Sequence, residues 1–532
     1  MPNLQISRPY LILLVALFIC LTGNYTFFSG VLQVYPWQQH AGFFVSLVVA
    51  YSAFLVLLFS LLSLLFGQRS VAIFMLILSA FIGYFSDNFG VIIDRDMLQN
   101  TLETNLSEAS DLMSLGLMVR VLLLGLLPAL LVGRLSLPRL GWLRGLSQTG
   151  KTMGVALLVM VAALAPFNAQ YFSAGREHKS LRYHANPAYP IYSVGHYIKK
   201  KYQAGKPPYT TVTTYARQAA DDTSRELVIM VVGEAVRADH FSLNGYARQT
   251  NPTLAKEPRV VNFSQVSSCG TATAISVPCM FSFHGRSTYK GSTAPYTENV
   301  LDVLAKAGVH VLWLDNNSSS KGVADRVAYQ DFRTSANNPI CDAVECRDIG
   351  MLKNLQRYID DHKQGDILIV LHQMGNHGPA YFKRYPPEFE KFKPACQTIE
   401  LAQCTKQEIS NAYDNAILYT DFFLGKVIEL LKSNTPNFET LMVYMSDHGE
   451  SLGENGIYLH GLPYFMAPAS QTHVPAVIWN GPNSDLDHQE LLANKDKPNS
   501  HDGLAPLLLK VFEVDADLQG DLVHAPFGSA QP

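Results

Sequence analysis

Five apolar stretches in the first third of the chain constrain its fold more than any other feature. Residues 10–28, 42–66, 70–85, 112–132 and 153–172 are nearly uncharged, and each is about as long as an α-helix that crosses ~30 Å of hydrocarbon. We therefore predict a transmembrane domain of five helices in residues 1–173. Two alternatives stay open: residues 10–28 could be a cleaved signal peptide, and residues 70–85 could be a re-entrant segment.

Basic residues in the short connections indicate the orientation of these helices. They fall in alternate gaps, at Arg8, Arg69, Arg134, Arg139, Arg144 and Lys151. The gaps 33–41 and 87–111 are neutral or net acidic. The positive-inside rule then places the N-terminus in the cytoplasm and everything after residue 172 outside the membrane.

Cysteine usage supports that orientation. Cys20 lies in the first predicted helix, and the other six form three close pairs: Cys269 with Cys279, Cys341 with Cys346, and Cys396 with Cys404. Disulfides form in oxidising compartments. A structural metal site is the alternative, but none of the pairs has the C-x-x-C spacing of zinc modules. The net charge of −3 is near neutral and carries no information on nucleic acid, but the sequence has no basic tract of the kind that binds a polyanion, so we expect no nucleic-acid partner.

Two segments follow the last predicted helix. Residues 174–225 mix basic, aromatic and proline residues, and a helix there would hold Tyr192, Tyr197 and Tyr202 at the lipid headgroups. A solvated linker is the alternative. In residues 226–532, short apolar runs at 227–232, 309–314, 367–371, 440–445 and 474–479 alternate with helical or loop stretches. This alternation predicts an α/β domain with a parallel sheet.

Polar side chains follow the ends of those predicted strands, where the sites of open α/β sheets form. They are Glu234, residues 315–321, His377, and Asp447 with His448. Two carboxylates and an imidazole at the ends of two different strands suit a zinc ion. Taken singly, Glu234 and Asp447 could also be helix N-caps.

The loop from Cys269 to Cys279 offers hydroxyl groups where a helix begins. A free N-terminal helix end stabilises phosphate oxygens, and coordination to zinc would lower the pKa of a hydroxyl so that it can attack phosphorus. Residue chemistry alone leaves Thr271, Thr273 and Ser276 open as the nucleophile.

Four long motifs resemble the lipid A phosphoethanolamine transferases, which include the mobile colistin-resistance enzymes. They are VVGEAVRADHFSLNGY, SSCGTATAISVPCMFS, GNHGPAYFKRYPPEF and YMSDHGESLGENGIYLHGLPY. That family belongs to the alkaline phosphatase and sulfatase superfamily. The resemblance implies five membrane helices in the bacterial inner membrane, followed by a periplasmic α/β/α sandwich.

The resemblance also implies roles for single residues. Glu234, Thr273, Asp447 and His448 would bind the catalytic zinc, with Thr273 as the nucleophile. His377 and His460 would bind a second zinc or the substrate phosphate, Lys321 would lie near the phosphate, and Asn100 and Glu108 would bind the ethanolamine headgroup. We assign no role to His240, His284, His310, His372, His473 and His501.

The implied reaction transfers phosphoethanolamine from phosphatidylethanolamine to lipid A through a threonine intermediate, which lowers the negative surface charge and gives polymyxin resistance. We expect a monomer in contact with membrane lipids, with one tightly bound zinc ion and a second left open. Other envelope glycans as acceptors, a phosphatase- or sulfatase-type hydrolase, a phosphoglycerol transferase and a silent lipid-binding protein are the alternatives.

Overall fold

A computed structural model describes residues 5–103, 109, 111–138, 140–203, 207–219, 224–342, 345–518, 522 and 524–529. The chain divides into two compact units. The membrane unit comprises Met1–Leu98 with Met113–Ile198, and the catalytic unit comprises Gln99–Leu112 with Lys199–Pro532. Residues 99–112, which the sequence places between two membrane helices, therefore group with the catalytic unit.

Eight helices lie between residues 8 and 203 in the described part of the chain. They are α1 (Arg8–Thr22), α2 (Tyr25–Val34), α3 (Trp37–Phe66), α4 (Gln68–Phe89), α5 (Arg95–Glu103), α6 (Leu115–Arg134), α7 (Trp142–Glu177) and α8 (Ala188–Gln203). Helices α3, α4, α6 and α7 are long and apolar enough to span a membrane, and α1 with α2 makes a fifth span if the bent pair is counted as one.

The first span is not the single helix predicted over residues 10–28. It bends by 61° between α1 and α2, at Gly23 and Asn24. The Asn24 side chain donates to the Ile19 carbonyl (3.1 Å), and Asp87 accepts from the backbone N–H of Thr26 (3.0 Å) at the start of α2. These polar side chains satisfy backbone groups that the break exposes, which an apolar environment requires.

The other predicted spans begin or end at different residues. The stretch predicted at residues 70–85 lies within the 22 residues of α4, which is long and apolar enough to cross a membrane. Helix α7 starts eleven residues before the predicted residue 153, and its first turns contain Arg144 and Lys151. A hydropathy pattern omits such turns because their side chains are polar.

The catalytic unit is built on an eight-stranded sheet. Its strands are β2 (Glu226–Gly233), β3 (Val260–Ser267), β4 (His310–Asp315), β5 (Ala328–Asp331), β6 (Ile367–His372), β7 (Glu439–Ser446), β10 (His473–Asn480) and β11 (Asn499–Ser500), in the order β11-β3-β10-β7-β2-β6-β4-β5. Small two-stranded sheets pair β1 (Ala216–Gln218) with β12 (Val514–Ala516), and β8 (Ser451–Leu452) with β9 (Tyr458–Leu459).

The sheet is mixed, so the prediction of a wholly parallel sheet is wrong for one strand. β10 runs antiparallel to both β7 and β3. Residues 447–472 connect β7 to β10 with only a four-residue helix immediately before β10. The connection also contains β8 and β9 but no long helix, and a long helix is the usual crossover between parallel neighbours.

Helices cover both faces of the sheet. Those of the catalytic unit are α9 (Thr273–Met280), α10 (Val300–Ala307), α11 (Leu355–Asp361), α12 (Lys406–Asn434), α13 (Ala469–Thr472), α14 (His488–Asn494) and α15 (Leu504–Val511). All residues of β2 and β6 are buried, as expected for central strands covered on both sides. The α/β/α fold class is confirmed.

Candidate active site

The carboxyl ends of β2 and β7 bring two acidic residues together. These strands are parallel neighbours, with Gly233 opposite Ser446, so Glu234 and Asp447 leave the sheet side by side. His448 follows Asp447, and its Nε2 lies 3.3 Å from Glu234 Oε1 and 3.4 Å from Asp447 Oδ2. All three side chains are fully buried.

Thr273 is the first residue of α9, and its hydroxyl lies in the same cluster. Its Oγ1 is 3.1 Å from Glu234 Oε2 and 3.3 Å from His448 Nε2. The two other hydroxyls of this loop are engaged elsewhere, since Thr271 donates to the Leu462 carbonyl (2.6 Å) and Ser276 donates to the Asp447 carbonyl. The structure therefore places Thr273, of the three candidates, beside the carboxylates.

The donor atoms of Glu234, Asp447 and His448 fit a bound cation. They lie within 4.8 Å of one another. The His448 Nδ1 position faces the Gly449 carbonyl at 2.8 Å, which fits a tautomer protonated at Nδ1 with its Nε2 lone pair directed at the carboxylates. Glu234 Oε1 and Asp447 Oδ2 are buried and accept no hydrogen bond within the described part of the chain. Lone pairs that converge in a buried site need a positive charge between them.

The pKa values of these three residues, without a bound ion, also indicate a site that favours positive charge. Burial and the neighbouring Glu234 charge raise the pKa of Asp447 to about 6. Burial would lower the pKa of His448, but the carboxylates of Asp447 and Glu234 raise it to about 10. Burial would raise the pKa of Glu234, but His448 holds it well below its ordinary range. The site therefore stabilises positive charge.

A second group of ligand atoms adjoins the first. His448, Glu450 and His460 offer ligand atoms within 4.8 Å of one another. Glu450 accepts from the Tyr381 hydroxyl (2.7 Å) and lies 2.7 Å from His460 Nδ1. The ring of His377 lies 5.9 Å from that of His460. His377 and His460, predicted to act together, are therefore neighbours. The carboxylate that contacts His460, Glu450, was not predicted from the sequence.

Lys321, predicted near the phosphate, and Asn100, predicted at the ethanolamine headgroup, both belong to the catalytic unit. Lys321 donates from Nζ to the Glu103 carbonyl (3.3 Å), and Asn100 is half-buried three residues earlier in α5. Glu108 lies outside the described residues.

Two further buried side chains, Asn317 and His501, hold the site, and neither was assigned a role from the sequence. Asn317 donates to Glu234 Oε2 and to the Gln373 carbonyl, both at 2.8 Å. His501 Nδ1 accepts from the Cys269 N–H (3.1 Å), and its Nε2 lies 3.0 Å from the Ser446 carbonyl. His372 is paired with Asp315 (3.0 Å). Asn317 could have been found from its position after β4, whereas His372 ends β6 and the strand before His501, β11, was not predicted.

Comparison with known proteins identifies the family. Residues 226–514 match the sulfatase family, and residues 51–202 match the family described as phosphoethanolamine transferase EptA/EptB. Phosphatidylethanolamine transferase Mcr-2 of Escherichia coli is 45% identical over 96% of each chain. The chain belongs to the phosphoethanolamine transferase family. Phosphoethanolamine transferase EptA of Escherichia coli K12 is 41% identical over 88% of this chain and 86% of that protein.

A solved family member has the same fold over its whole length. The integral membrane lipooligosaccharide phosphoethanolamine transferase A of Neisseria meningitidis covers 100% of both chains with a TM-score of 0.93 and 33% identity. As a phosphoethanolamine transferase, this chain is a multi-pass membrane protein with a periplasmic catalytic domain. Both predictions are confirmed.

The cysteines agree with that compartment. Disulfides join Cys269 to Cys279, Cys341 to Cys346 and Cys396 to Cys404. Cys20 is a buried free thiol in α1. The bond from Cys269 to Cys279 encloses Thr273, so it ties the loop before α9 to the helix that follows.

Proposed function

We propose that this phosphoethanolamine transferase moves phosphoethanolamine from phosphatidylethanolamine to lipid A through a covalent intermediate on Thr273, with zinc held by Glu234, Asp447, His448 and Thr273. The observation that carries this proposal is the position of the Thr273 hydroxyl. It lies within 3.3 Å of both a buried carboxylate and a buried imidazole, at the first residue of a helix.

Zinc suits these donors because it accepts carboxylate oxygen and imidazole nitrogen in a four-coordinate site. When bound, zinc supplies a charge that lowers the pKa of the threonine hydroxyl and offsets the charge of the phosphoryl oxygens. His460 and His377 are close enough to each other to share one phosphate group or a second ion. We propose that they orient the phosphoryl oxygens of the donor.

The reaction takes place in two displacements. Thr273 Oγ1 forms a bond to the phosphorus of phosphatidylethanolamine, and the bond from phosphorus to the diacylglycerol oxygen breaks. The threonine releases a proton and the diacylglycerol oxygen takes one up, so protons balance. An oxygen of the acceptor then attacks the same phosphorus, and the bond to Thr273 breaks. The acceptor releases one proton and the Thr273 oxygen takes one up, which restores the hydroxyl.

The names of the relatives support the donor and the acceptor. They include phosphatidylethanolamine transferase and Kdo(2)-lipid A phosphoethanolamine 7''-transferase. Each transferred group places an ammonium beside lipid phosphates, so the outer surface binds cationic polymyxins such as colistin less strongly. In a hydrolase of the same fold, water would replace the acceptor and free phosphoethanolamine would accumulate.

Replacement of Thr273 tests the proposal. Thr273→Ala should reduce transfer to lipid A by roughly 10³-fold or more, because it removes the attacking oxygen. Thr273→Ser keeps a hydroxyl at the same position and should retain part of the transfer. Mass spectrometry of lipid A from cells that express each variant measures the added mass of phosphoethanolamine.

A control for folding is the thermal unfolding midpoint of both variants, which should stay near that of the unmodified protein. Wild-type transfer by Thr273→Ala would overturn the assignment of the nucleophile. Release of free phosphoethanolamine without modified lipid A would favour the hydrolase.

A further inference from the structure

An apolar cavity of about 430 Å³ lies within the membrane unit. Its walls come from α2, the first half of α3, the end of α7 and the segment that follows α7. Aromatic side chains form much of the lining, including Phe27, Phe43, Tyr51, Phe54 and Tyr171. The volume falls in the range of roughly 300–1,000 Å³ that is typical of sites for small molecules.

The polar ends of the lining tyrosines are occupied by other groups. The Tyr51 hydroxyl donates to the Asn186 carbonyl (2.9 Å), and the Tyr171 hydroxyl lies 2.9 Å from Ser46 Oγ. Tyr35 donates to the Gln170 carbonyl (3.4 Å). The rings therefore present carbon surface to the cavity, which suits a hydrocarbon chain.

The cavity lies at the outer side of the membrane. Arg8 and Arg69 mark the cytoplasmic ends of α1 and α3, so α2, the start of α3 and the end of α7 are at the periplasmic side. Tyrosine and tryptophan are enriched at this level of membrane proteins, where the headgroups begin. An occupant of the cavity would thus have its headgroup in the outer leaflet.

Two cationic side chains line the cavity. Lys179 and Arg182 are among the lining residues and are exposed. The lining contains no Asp or Glu among the described residues. Glu177, the nearest acidic residue along the chain, accepts from Ser173 Oγ (3.1 Å) and does not line the cavity.

We propose that this cavity binds one anionic glycerophospholipid of the outer leaflet. One acyl chain lies among the aromatic rings, and the phosphate lies between Lys179 and Arg182. An ethanolamine ammonium would meet two cations and no lining carboxylate, so phosphatidylglycerol is bound in preference to phosphatidylethanolamine. The cavity therefore prefers a different lipid from the proposed donor of the reaction. The proposal rests on the placement of the chain in the membrane and does not depend on the transfer reaction.

Two glycines of α7 give a matched pair of variants. Gly175 lines the cavity, and a Cβ added there would meet no atom within 4 Å. Gly154 lies in the same helix away from the cavity, and a Cβ there would also meet no atom within 4 Å. Gly175→Leu should fill the cavity without a backbone clash, and Gly154→Leu is the control with the same chemical change.

The experiment is native mass spectrometry of the full chain in detergent, titrated with dioleoyl phosphatidylglycerol or dioleoyl phosphatidylethanolamine. The unmodified protein and Gly154→Leu should retain one phosphatidylglycerol, and Gly175→Leu should retain none at the same lipid concentration. Lys179→Ala with Arg182→Ala should weaken the binding of phosphatidylglycerol by about tenfold or more.

Three outcomes would overturn the proposal. The first is equal retention of phosphatidylglycerol by Gly175→Leu and Gly154→Leu, which indicates annular lipid only. The second is an equal loss of phosphatidylglycerol and phosphatidylethanolamine in Gly175→Leu, since only the binding lost in this variant is binding in the cavity. The third is no effect of the double alanine variant. The assay measures binding without transfer, so a failure of the proposed reaction at Thr273 would leave its result unchanged.

Discussion

The direction of the Glu234 carboxylate is set by Asn317. Its amide donates to Glu234 Oε2 (2.8 Å) and to the Gln373 carbonyl (2.8 Å), so one side chain links the end of β2 to the residue after β6. With Oε2 engaged by Asn317 and Thr273, Oε1 is left as the oxygen that faces His448 Nε2. Hydrogen bonds of this kind commonly tune metal affinity without touching the metal.

Asn317→Ala should therefore lower the affinity for zinc by roughly 10- to 100-fold. Asn316→Ala is the matched control, because Asn316 is equally buried but donates to Asp348 Oδ1 (2.7 Å) and the Cys346 carbonyl (3.0 Å), away from Glu234. Competition with a zinc chelator measures the affinity of both variants. Equal affinities of Asn317→Ala and the unmodified protein would contradict a role in orienting Glu234.

At the scale of residues, the sequence predicted the site residues that directly follow a strand. It did not predict the residues that contribute by contacting another site residue. Glu234, Asp447 and His448 could be found because parallel strands end at one edge of the sheet. Glu450 and Asn317 could not, because their roles depend on which carboxylate or histidine lies across a loop. Choosing Thr273 among three hydroxyls required the structure or the family resemblance.

At the scale of elements, one buried carboxylate of the long helix α12 connects stability to pH. Asp421 is 1% exposed and accepts from the backbone N–H groups of Thr253 (2.7 Å) and Leu254 (3.0 Å). Burial outweighs these hydrogen bonds and raises the pKa of Asp421 to about 6, from an ordinary value of 3.8. Between these two values the folded state holds a proton that the unfolded state has released.

The contribution of Asp421 to the free energy of unfolding should thus be largest near pH 4 and fall as the pH rises through 6, by on the order of 3 kcal/mol. The amide side chain introduced by Asp421→Asn does not titrate, so this variant should lack that part of the change in unfolding free energy with pH. Urea unfolding, followed by the fluorescence of buried Trp313 and Trp479, gives the unfolding free energies of the unmodified protein and of Asp421→Asn at pH 4, 5, 6 and 7. A difference between the two proteins that is independent of pH would refute the raised pKa.

Elements were predictable where their apolar pattern was strong. Short apolar runs in the sequence predicted β2, β4, β6, β7 and β10. The strands β3, β5 and β11 of the same sheet were not predicted. In β3, buried residues alternate with more exposed ones. β5 lies at the edge of the sheet, and most of its residues are exposed. The bend between α1 and α2 was missed because the flanking residues are apolar enough to continue one helix.

At the scale of the whole molecule, the catalytic unit has sources of stability that do not depend on a metal. Its central strands are buried on both faces, and three disulfides cross-link its loops. A large core of this kind contrasts with small zinc domains, which unfold without their ion. Without a bound ion, His448 and a proton on Asp447, whose pKa is raised to about 6, can neutralise the two carboxylates.

Removal of zinc should consequently abolish transfer while the fold persists. Dialysis of the full chain against a chelator is expected to leave the circular dichroism spectrum unchanged and to lower the unfolding midpoint by several degrees, because a ligand stabilises a protein by about 4 kcal/mol at a thousand times its dissociation constant. Added zinc should restore transfer and added magnesium should not, since magnesium prefers six oxygen ligands and the site offers an imidazole. Full transfer by protein without detectable zinc would contradict the metal assignment, and loss of the folded spectrum would contradict a purely local role for the ion.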